Sequence, residues 1–530
     1  MPTAAAIAKP HARIARNHRV GIVGTGVMGR GIAQILAEAN ATVLLHDAAA
    51  GAAARAAAAL TDTWKKLAER GKIAEADVAA NGGRISVVDS LDAFNGCDIV
   101  IEAIIERLDA KRALFKSLEA VVGAETILAT NTSSLSVTEI AAGCADPGRV
   151  AGLHFFNPVP LMRIVEIIGG VRTRPETVER LQTLVAGTRH AGVVVKDTPG
   201  FLINHAGRGY GTEALRIVGE GVTDFVGVDR IMREQVVFPG GGRFKLGPFE
   251  LLDVTGLDVS QPVMESIYRQ FFDEPRFRPS VIGAQRAAGG LFGRKSGEGF
   301  YRYGADGKPV AADATAGAAG NAAKPAAAVP VAIIAEPHAP SLAALVERLG
   351  GRVVDDPAAT DGGFVLIAPL GDDASGYAAA RRLPAERVVA IDTLFDPAAG
   401  DCSRRVLMPT VATRPDALNA AVALFGADGV AVTRLRDSTG FVAQRIIAMI
   451  VSIATEIAQQ RIAGPADIDL AVRAGLGYPL GPLAIGDAIG PARVLQILTT
   501  LHARSGDPRY RPGTWLRRRA ELGLSLLVED

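Results

Sequence analysis

The chain has 530 residues, a formal net charge of +1 and 48% hydrophobic residues. That length predicts two to four domains with ample core, and the near-neutral balance gives no argument for a nucleic-acid partner. Cys97, Cys144 and Cys402 are widely separated and lack C-x-x-C spacing, which argues against a disulfide framework or a metal site and points to a reducing, cytoplasmic setting.

Residues 1–17 are Ala-rich with scattered basic groups and no compact apolar stretch, so they read as a disordered tail rather than a signal peptide. No apolar run reaches about 18 to 20 residues without a charge or glycine break, so no membrane span is expected. A short buried strand is predicted at 20–23. Gly24, Gly26 and Gly29 follow it in G-x-G-x-x-G spacing, then a helix over 28–37 and a second strand at 42–45 ending in His46-Asp47. Gly24 permits the tight turn, Gly26 lets backbone amides approach a pyrophosphate, and Gly29 lets helix and strand pack closely. The helix beginning at Val27 and Met28 offers its positive end to phosphate. Asp47 lies 18 residues past Gly29, where a carboxylate accepts bonds from a ribose diol and repels a 2′-phosphate, favouring NAD over NADP.

A long Ala-rich helix is expected over 48–70. Its basic end, Lys65 and Lys66 beside Trp64, reads first as a solvated face, with contact to a phosphate-bearing substrate as the alternative. Strand 98–103 leads to Glu106 and Lys111, at the carboxyl edge of a parallel sheet where ligands bind; a helix-start acid and a surface lysine are equally compatible. Strand 126–130 opens into Asn131-Thr132-Ser133-Ser134. Ser136 and Glu139 fit a capping box, which leaves Ser133 in the loop at the ligand edge, either as a turn residue or as a contact. Strand 149–156 carries His154, Asn157-Pro158 breaks it, and 163–168 alternates as a strand with Ile164, Glu166 and Ile168 on one face. A carboxylate between two isoleucines needs a partner. His154 is the natural one, and Glu166 would then fix its tautomer and leave the other ring nitrogen free, making His154 a candidate general base.

Strand 193–196 and Asp197-Thr198-Pro199-Gly200 close the first domain. A helix is expected from Phe201, with Asn204 in its first turn and Gly207, Gly209 and Gly211 as poor helix formers that ask for close packing or a ligand. The segment 293–301 reads as a closing loop and 304–330 as a flexible linker. Landmarks then recur 240 residues on: Arg174-Pro175-Glu176 as Arg414-Pro415-Asp416, Asp197 to Phe201 as Asp437 to Phe441, and Asp229 as Asp469. Gly247-Pro248-Phe249 and Asp253 recur as Gly481-Pro482-Leu483 and Asp487. The second copy lacks the G-x-G-x-x-G run and the Ser, His and Glu, and carries Gln444 where the first has Asn204. The expected fold is an α/β Rossmann domain (18–199) and an all-α domain (200–303), followed after the linker by a degenerate copy, a reduced Rossmann-like domain (331–435) and a second all-α domain (436–530), with one active site per chain.

Gly24-Thr-Gly-Val-Met-Gly29, Glu102-Ala-Ile-Ile-Glu106, Asn131-Thr-Ser-Ser134, His154-Phe-Phe-Asn-Pro-Val-Pro160, Asp197-Thr-Pro-Gly-Phe201 and Lys295-Ser-Gly-Glu-Gly-Phe-Tyr301 together resemble the L-3-hydroxyacyl-CoA dehydrogenase family. The resemblance implies an NAD-dependent enzyme acting on an acyl-CoA thioester. It makes His154 the base that takes the C3 hydroxyl proton, Glu166 its support, and Ser133 and Asn204 contacts to the substrate oxygen. It implies cofactor contacts at Gly24, Gly26, Val27, Met28, Gly29, Asp47, Glu106, Lys111, Ser133, Asn157 and Lys295, and coenzyme A near Thr63 and Lys66. The long form with Asn204-His-Ala-Gly-Arg-Gly-Tyr210 is similar to members that oxidise 3-hydroxyadipyl-CoA in phenylacetate catabolism. A 3-hydroxybutyryl-CoA or general fatty-acid substrate is the rival. A CoA-free hydroxy acid, or a binding protein that has lost chemistry, are more remote. Arg208, one turn from Asn204, is a candidate for the distal carboxylate of an adipyl chain, against a surface arginine. The second helical domain is expected to fill the place of a partner subunit, giving an intrachain pseudo-dimer or else a homo-oligomer, with no nucleic-acid or membrane partner.

Overall fold

The computed structural model describes residues 18–310 and 328–530. The expected tail at 1–17 and most of the expected linker lie outside the described residues. The chain divides into two compact units. One runs to Ile203 and takes in Arg461–Leu476; the other holds Asn204–Gln460 and Gly477–Asp530.

In the first unit, eight strands form one sheet: β1 (Arg19–Val23), β2 (Thr42–His46), β3 (Ile85–Val87), β4 (Ile99–Glu102), β5 (Ile127–Thr130), β6 (Val150–Phe155), β7 (Ile164–Gly169) and β8 (Ala191–Lys196), in the order β3-β2-β1-β4-β5-β6-β7-β8. All neighbours are parallel except β6 and β7. The central strands read as near-continuous aliphatic runs because helices cover both faces; Val20, Ile22, Val43, Leu45, Ile99 and Ile101 are all buried in one core with the helix Val27–Glu38. The expected strand positions all hold to within two residues, and the long helix is shorter than expected, Ala52–Glu69. This is the expected Rossmann-like sheet.

The glycines of the first turn divide as the spacing implied. Gly24 has φ +93°, and a Cβ there would sit 2.5 Å from the Ala103 carbonyl oxygen; at Gly29 it would sit 1.8 Å from the oxygen of Gly24. At Gly26 nothing lies within 4 Å, so the space above that backbone is open.

Arg461–Leu476 completes this unit from far along the chain. The Lys196 amide, at the end of edge strand β8, donates to the Ile462 carbonyl at 2.9 Å, and the helix Pro465–Leu476 packs on β7 and β8.

The second unit contains a six-stranded sheet, β9 (Pro330–Ile334), β10 (Arg352–Val354), β11 (Phe364–Ile367), β12 (Val388–Ile391), β13 (Arg404–Pro409) and β14 (Ala431–Arg434), ordered β10-β9-β11-β12-β13-β14 with only β12 and β13 antiparallel. Its helices surround Val442–Gln459, which packs most extensively on Arg208–Gly219. That central helix has the length and mean hydropathy, 1.3, of a membrane span, but 89% of it is buried inside the protein and it carries Arg445 and Glu456. It is a core helix. The Arg436 amide donates to the Val222 carbonyl at 2.9 Å. Both partners stand 240 residues from those of the Lys196–Ile462 bond, so the two sheet edges are completed in the same way, each by a segment from the other half of the sequence.

The helix expected from Phe201 is interrupted. Phe201 itself has φ +48°, after Gly200 at +75°; helix begins at Ile203, runs to Ala206, stops at Gly207 and resumes over Arg208–Gly219.

Candidate active site

The antiparallel reversal between β6 and β7 makes the site. Its register sets His154 directly opposite Glu166. His154 is 4% exposed and Glu166 is fully buried, and His154 Nδ1 lies 2.6 Å from Glu166 Oε2. The other oxygen, Oε1, accepts the Leu202 and Ile203 amides at 3.0 and 2.7 Å. The two consecutive left-handed residues Gly200 and Phe201 turn the chain so that both amides converge on it. A carboxylate buried this deeply costs several kcal/mol unless every lone pair is served, about what these three donors and the strand pairing offset. Because this carboxylate only accepts, Nδ1 carries the ring hydrogen and Nε2 is left as an acceptor. The rings of Phe156 and Phe201, centred 4.3 and 5.8 Å from the imidazole, flank it.

One strand over, the loop after β5 is built around two acids. Glu102, fully buried at the end of β4, accepts from the Lys111 ammonium, the Ile104 amide and the Thr130 hydroxyl. Glu106 gathers the loop: it accepts from the Thr132 hydroxyl at 2.6 Å, the Ser133 amide at 2.9 Å, and the Ser134 amide and hydroxyl at 3.1 and 3.0 Å. Burial works to raise the Glu106 carboxyl, but the Thr132 hydroxyl, the nearby Lys111 and the two serines outweigh it and hold it below the ordinary range. Lys111 is 1% exposed and lies against both acids. It therefore sits beneath the loop rather than on its surface. Asn131 Oδ1 accepts the Phe155 amide at 2.9 Å and so ties the loop to β6 beside His154. The structural parts of Glu102 and Asn131 were missed in the sequence, although an acid closing the aliphatic run Ile99–Glu102 is itself a sign of a buried partner.

At the other side of the sheet, Asp47 accepts the Thr25 amide and hydroxyl at 2.7 and 2.8 Å and the Ala49 amide at 3.0 Å. Its slight burial is outweighed by these bonds, which keep its carboxyl low. The Val27–Glu38 helix starts at Gly26 with no side-chain cap and no acid in its first turn, leaving its N-terminal amides available. Open space over Gly26, free amides at Val27 and Met28 and a carboxylate at the end of β2 fit a dinucleotide with an unphosphorylated ribose. Asn157 is exposed past the end of β6. Thr63 and Lys66 are both exposed on one face of Ala52–Glu69. Ser136 Oγ accepts the Glu139 amide as a cap and donates to Asp197, which also takes the Val137 and Thr138 amides. Asp197, rather than Glu139, is thus the second carboxylate at this helix start, serving its first two amides instead of the Ser136 amide that a capping box would bind.

Asn204 follows Ile203 directly and opens the second unit, half-buried. Within that unit Arg208 Nε donates to the Asn204 carbonyl at 2.7 Å. Lys295, also there, is exposed and paired with Asp258 at 2.5 Å.

In the second sheet, β12 and β13 continue their register so that Asp392 stands three steps from the Val389–Pro409 pair, as His154 stands three steps from Ala151–Gly169. Opposite it is Val406, not a glutamate. Asp392 accepts the Gln444 and Gln235 amides, each at 2.9 Å, and Gln444 Oε1 accepts the Gly371 amide at 2.8 Å. The protein's own side chains fill that position.

A family model described as "3-hydroxyacyl-CoA dehydrogenase, NAD binding domain" matches residues 19–198. A second, "3-hydroxyacyl-CoA dehydrogenase, C-terminal domain", matches twice, at 200–303 and 440–525. The chain is 35% identical to the 3-hydroxyadipyl-CoA dehydrogenase of Escherichia coli (strain K12), over 95% of this chain and 97% of that protein. It is 37% identical to a probable 3-hydroxybutyryl-CoA dehydrogenase of Deinococcus radiodurans, over 54% of this chain and all of that protein. A crystal structure of 3-hydroxybutyryl-CoA dehydrogenase from Escherichia coli K12 superposes with a TM-score of 0.79 at 32% identity, covering 96% of this chain and 99% of that one.

Proposed function

The chain belongs to the 3-hydroxyacyl-CoA dehydrogenase family, and from that premise we propose that it oxidises (S)-3-hydroxyadipyl-CoA to the 3-oxo thioester with NAD, a step of phenylacetate catabolism. The reaction class follows from the family: an NAD-dependent oxidoreductase acting on a CH–OH group of a 3-hydroxyacyl-CoA. The names of the relatives that share nearly the whole of this long chain divide over the acyl group, adipyl or butyryl; the Asn204–Tyr210 run, with Arg208 one turn from Asn204, favours adipyl.

The observation carrying the reading is the His154–Glu166 pair, with the second Glu166 oxygen already taken by two amides. Glu166 holds the imidazole in one tautomer, and His154 Nε2 takes the proton of the C3 hydroxyl. Ser133 and Asn204 donate to the same substrate oxygen and fix its angle. Bound NAD supplies the acceptor for the hydride leaving C3. The Gly24–Gly29 turn and the Val27 and Met28 amides hold its pyrophosphate and Asp47 its ribose diol. Glu106, Ser133 and Asn157 would contact the nicotinamide half of the cofactor, with Lys111 acting through Glu106, and Lys295 is a further proposed cofactor contact. Thr63 and Lys66 meet coenzyme A.

The second half is a degenerate copy that has lost the equivalents of β3 and β4, and with them the acids that organise the loop over the cofactor. The order of β11 to β14, the Asp437 bonds to the Ala374 and Ser375 amides, and the double match of the helical model support this. The two helical regions then form an intrachain pseudo-dimer. Steady-state NAD reduction with adipyl, hexanoyl and butyryl 3-hydroxy thioesters tests the function. Turnover highest for adipyl is the expected result, and turnover only of a free hydroxy acid overturns it.

A further inference from the structure

Two polar groups in the second unit act on each other electrostatically, a half-buried guanidinium and a buried phenol left without the partner its burial demands. The first is the Arg208 guanidinium. Its Nε donates to the Asn204 carbonyl at 2.7 Å, and among the described residues its half-exposed terminal nitrogens make no hydrogen bond or ion pair to the protein. Burial pulls it down to about 10, and among the described residues Tyr478 is the group that works against that shift. It stays a cation at neutral pH. The second is the Tyr478 hydroxyl, which is buried and makes no hydrogen bond. Tyr478 is 5% exposed, its ring held between Tyr210 and Phe244 at 5.7 and 5.1 Å, while Tyr210 donates its own hydroxyl to the Leu246 carbonyl. An uncompensated cation and an orphaned phenol each carry a desolvation cost in the folded protein. Together they present what one carboxylate accepts: a guanidinium edge for one oxygen and an O–H for the other.

We propose that Arg208 and Tyr478 form the receptor for a carboxylate at the distal end of the acyl chain, with the second half of the sequence supplying Tyr478 to the substrate site of the first. The proposal rests on the reading of Asn204 as a contact to the C3 oxygen. Arg208 is four residues beyond Asn204, about 6 Å at a helical rise, and its Nε reaches back to the Asn204 carbonyl; the C3 and C6 carbons of an adipyl chain are three bonds apart, a comparable reach. The repeat underlines the specialisation: 240 residues on from Arg208 stands Ala448.

The test compares kcat/KM for (S)-3-hydroxyadipyl-CoA and (S)-3-hydroxyhexanoyl-CoA, which has the same length and no carboxylate, in the full-length wild type and in Arg208→Gln, Arg208→Lys and Tyr478→Phe. The expected wild type prefers adipyl. Arg208→Gln lowers that preference by about 30-fold through KM, the loss of a charge-assisted bond. Tyr478→Phe lowers it by about 3- to 10-fold, the loss of a neutral donor, and Arg208→Lys restores part of it. A wild type preferring adipyl whose preference survives in both Arg208→Gln and Tyr478→Phe overturns the receptor and leaves the function standing. A wild type that turns over both thioesters equally overturns the receptor and the adipyl substrate but not the dehydrogenase. Turnover of neither overturns all three.

Discussion

At the scale of single residues, the account turns on what Glu166 can accept. It serves three donors with two oxygens, all from the folded chain around it. Glu166→Gln keeps the volume but has one acceptor oxygen. If that oxygen faces the Leu202 and Ile203 amides, the side-chain NH2 faces His154 and forces the ring hydrogen onto Nε2, the atom that must take the substrate proton. We expect kcat to fall by about 10²- to 10⁴-fold with KM for NAD little changed, in steady-state NAD reduction; an unchanged kcat would show that the pair is only structural. This pairing was legible in the sequence because a lone acid on an aliphatic strand face needs a partner and a histidine lay one hairpin away. What was not legible is the other half of the support. Nothing in Pro199-Gly200-Phe201 announces that two left-handed residues will aim the next two amides at Glu166, since that depends on where β7 lies in space. Lys111 shows the same limit: spacing put it at the ligand edge, and burial put it beneath the loop.

Among elements, the glycines after Asn204 show how the same residue type does different jobs. The sequence offered Gly207, Gly209 and Gly211 as one puzzle. In the fold Gly207 breaks the helix, and a Cβ on Gly209 would come 3.0 Å from the Ile450 amide and 3.1 Å from the Met449 carbonyl, on the backbone of Val442–Gln459. At Gly211 the nearest atom is Leu252 at 3.8 Å, ordinary contact. Gly209→Val is therefore expected to destabilise by about 1–3 kcal/mol, and Gly211→Ala to stabilise by about 0.5–1 kcal/mol, in chemical denaturation; equal effects would contradict the helix crossing.

The segment ending in Tyr301 and Tyr303 is another such element. Asp229 takes the Phe249 and Glu250 amides and the Tyr301 hydroxyl, and Asp253 takes the Phe300 and Tyr301 amides and the Tyr303 hydroxyl. Burial, against these bonds, pushes Asp229 up to about 7. A carboxyl raised on folding adds stability that is full below its unfolded value, about 3.9, and is lost as pH climbs through the folded one. Wild-type Tm is expected to decline from pH 5 to 8 more steeply than that of Asp229→Asn; parallel curves would contradict it.

For the whole molecule, the recurrence of landmarks is what proposes a duplication, and the second half is set apart by the motifs it lacks. Which strands such a copy would lack could not be read, because short aliphatic runs resemble one another until pairing identifies them. Nor did the interval say that each sheet edge would be finished by the other half, through Lys196–Ile462 and Arg436–Val222. The helix Arg208–Gly219 buries its small-residue face on Val442–Gln459, so a fragment of residues 1–310 loses that cover. It is expected to self-associate in sedimentation at concentrations where the full chain does not, and a monodisperse monomeric fragment would count against the pseudo-dimer.

The central claim is that His154 removes the proton as hydride departs. Its most direct test is the single-turnover rate of NADH formation from a 3-hydroxyacyl-CoA by His154→Gln, with NAD affinity measured on the same preparation. The account expects a rate reduced by about 10²- to 10⁴-fold at unchanged NAD affinity, and a rate within about threefold of wild type would contradict it.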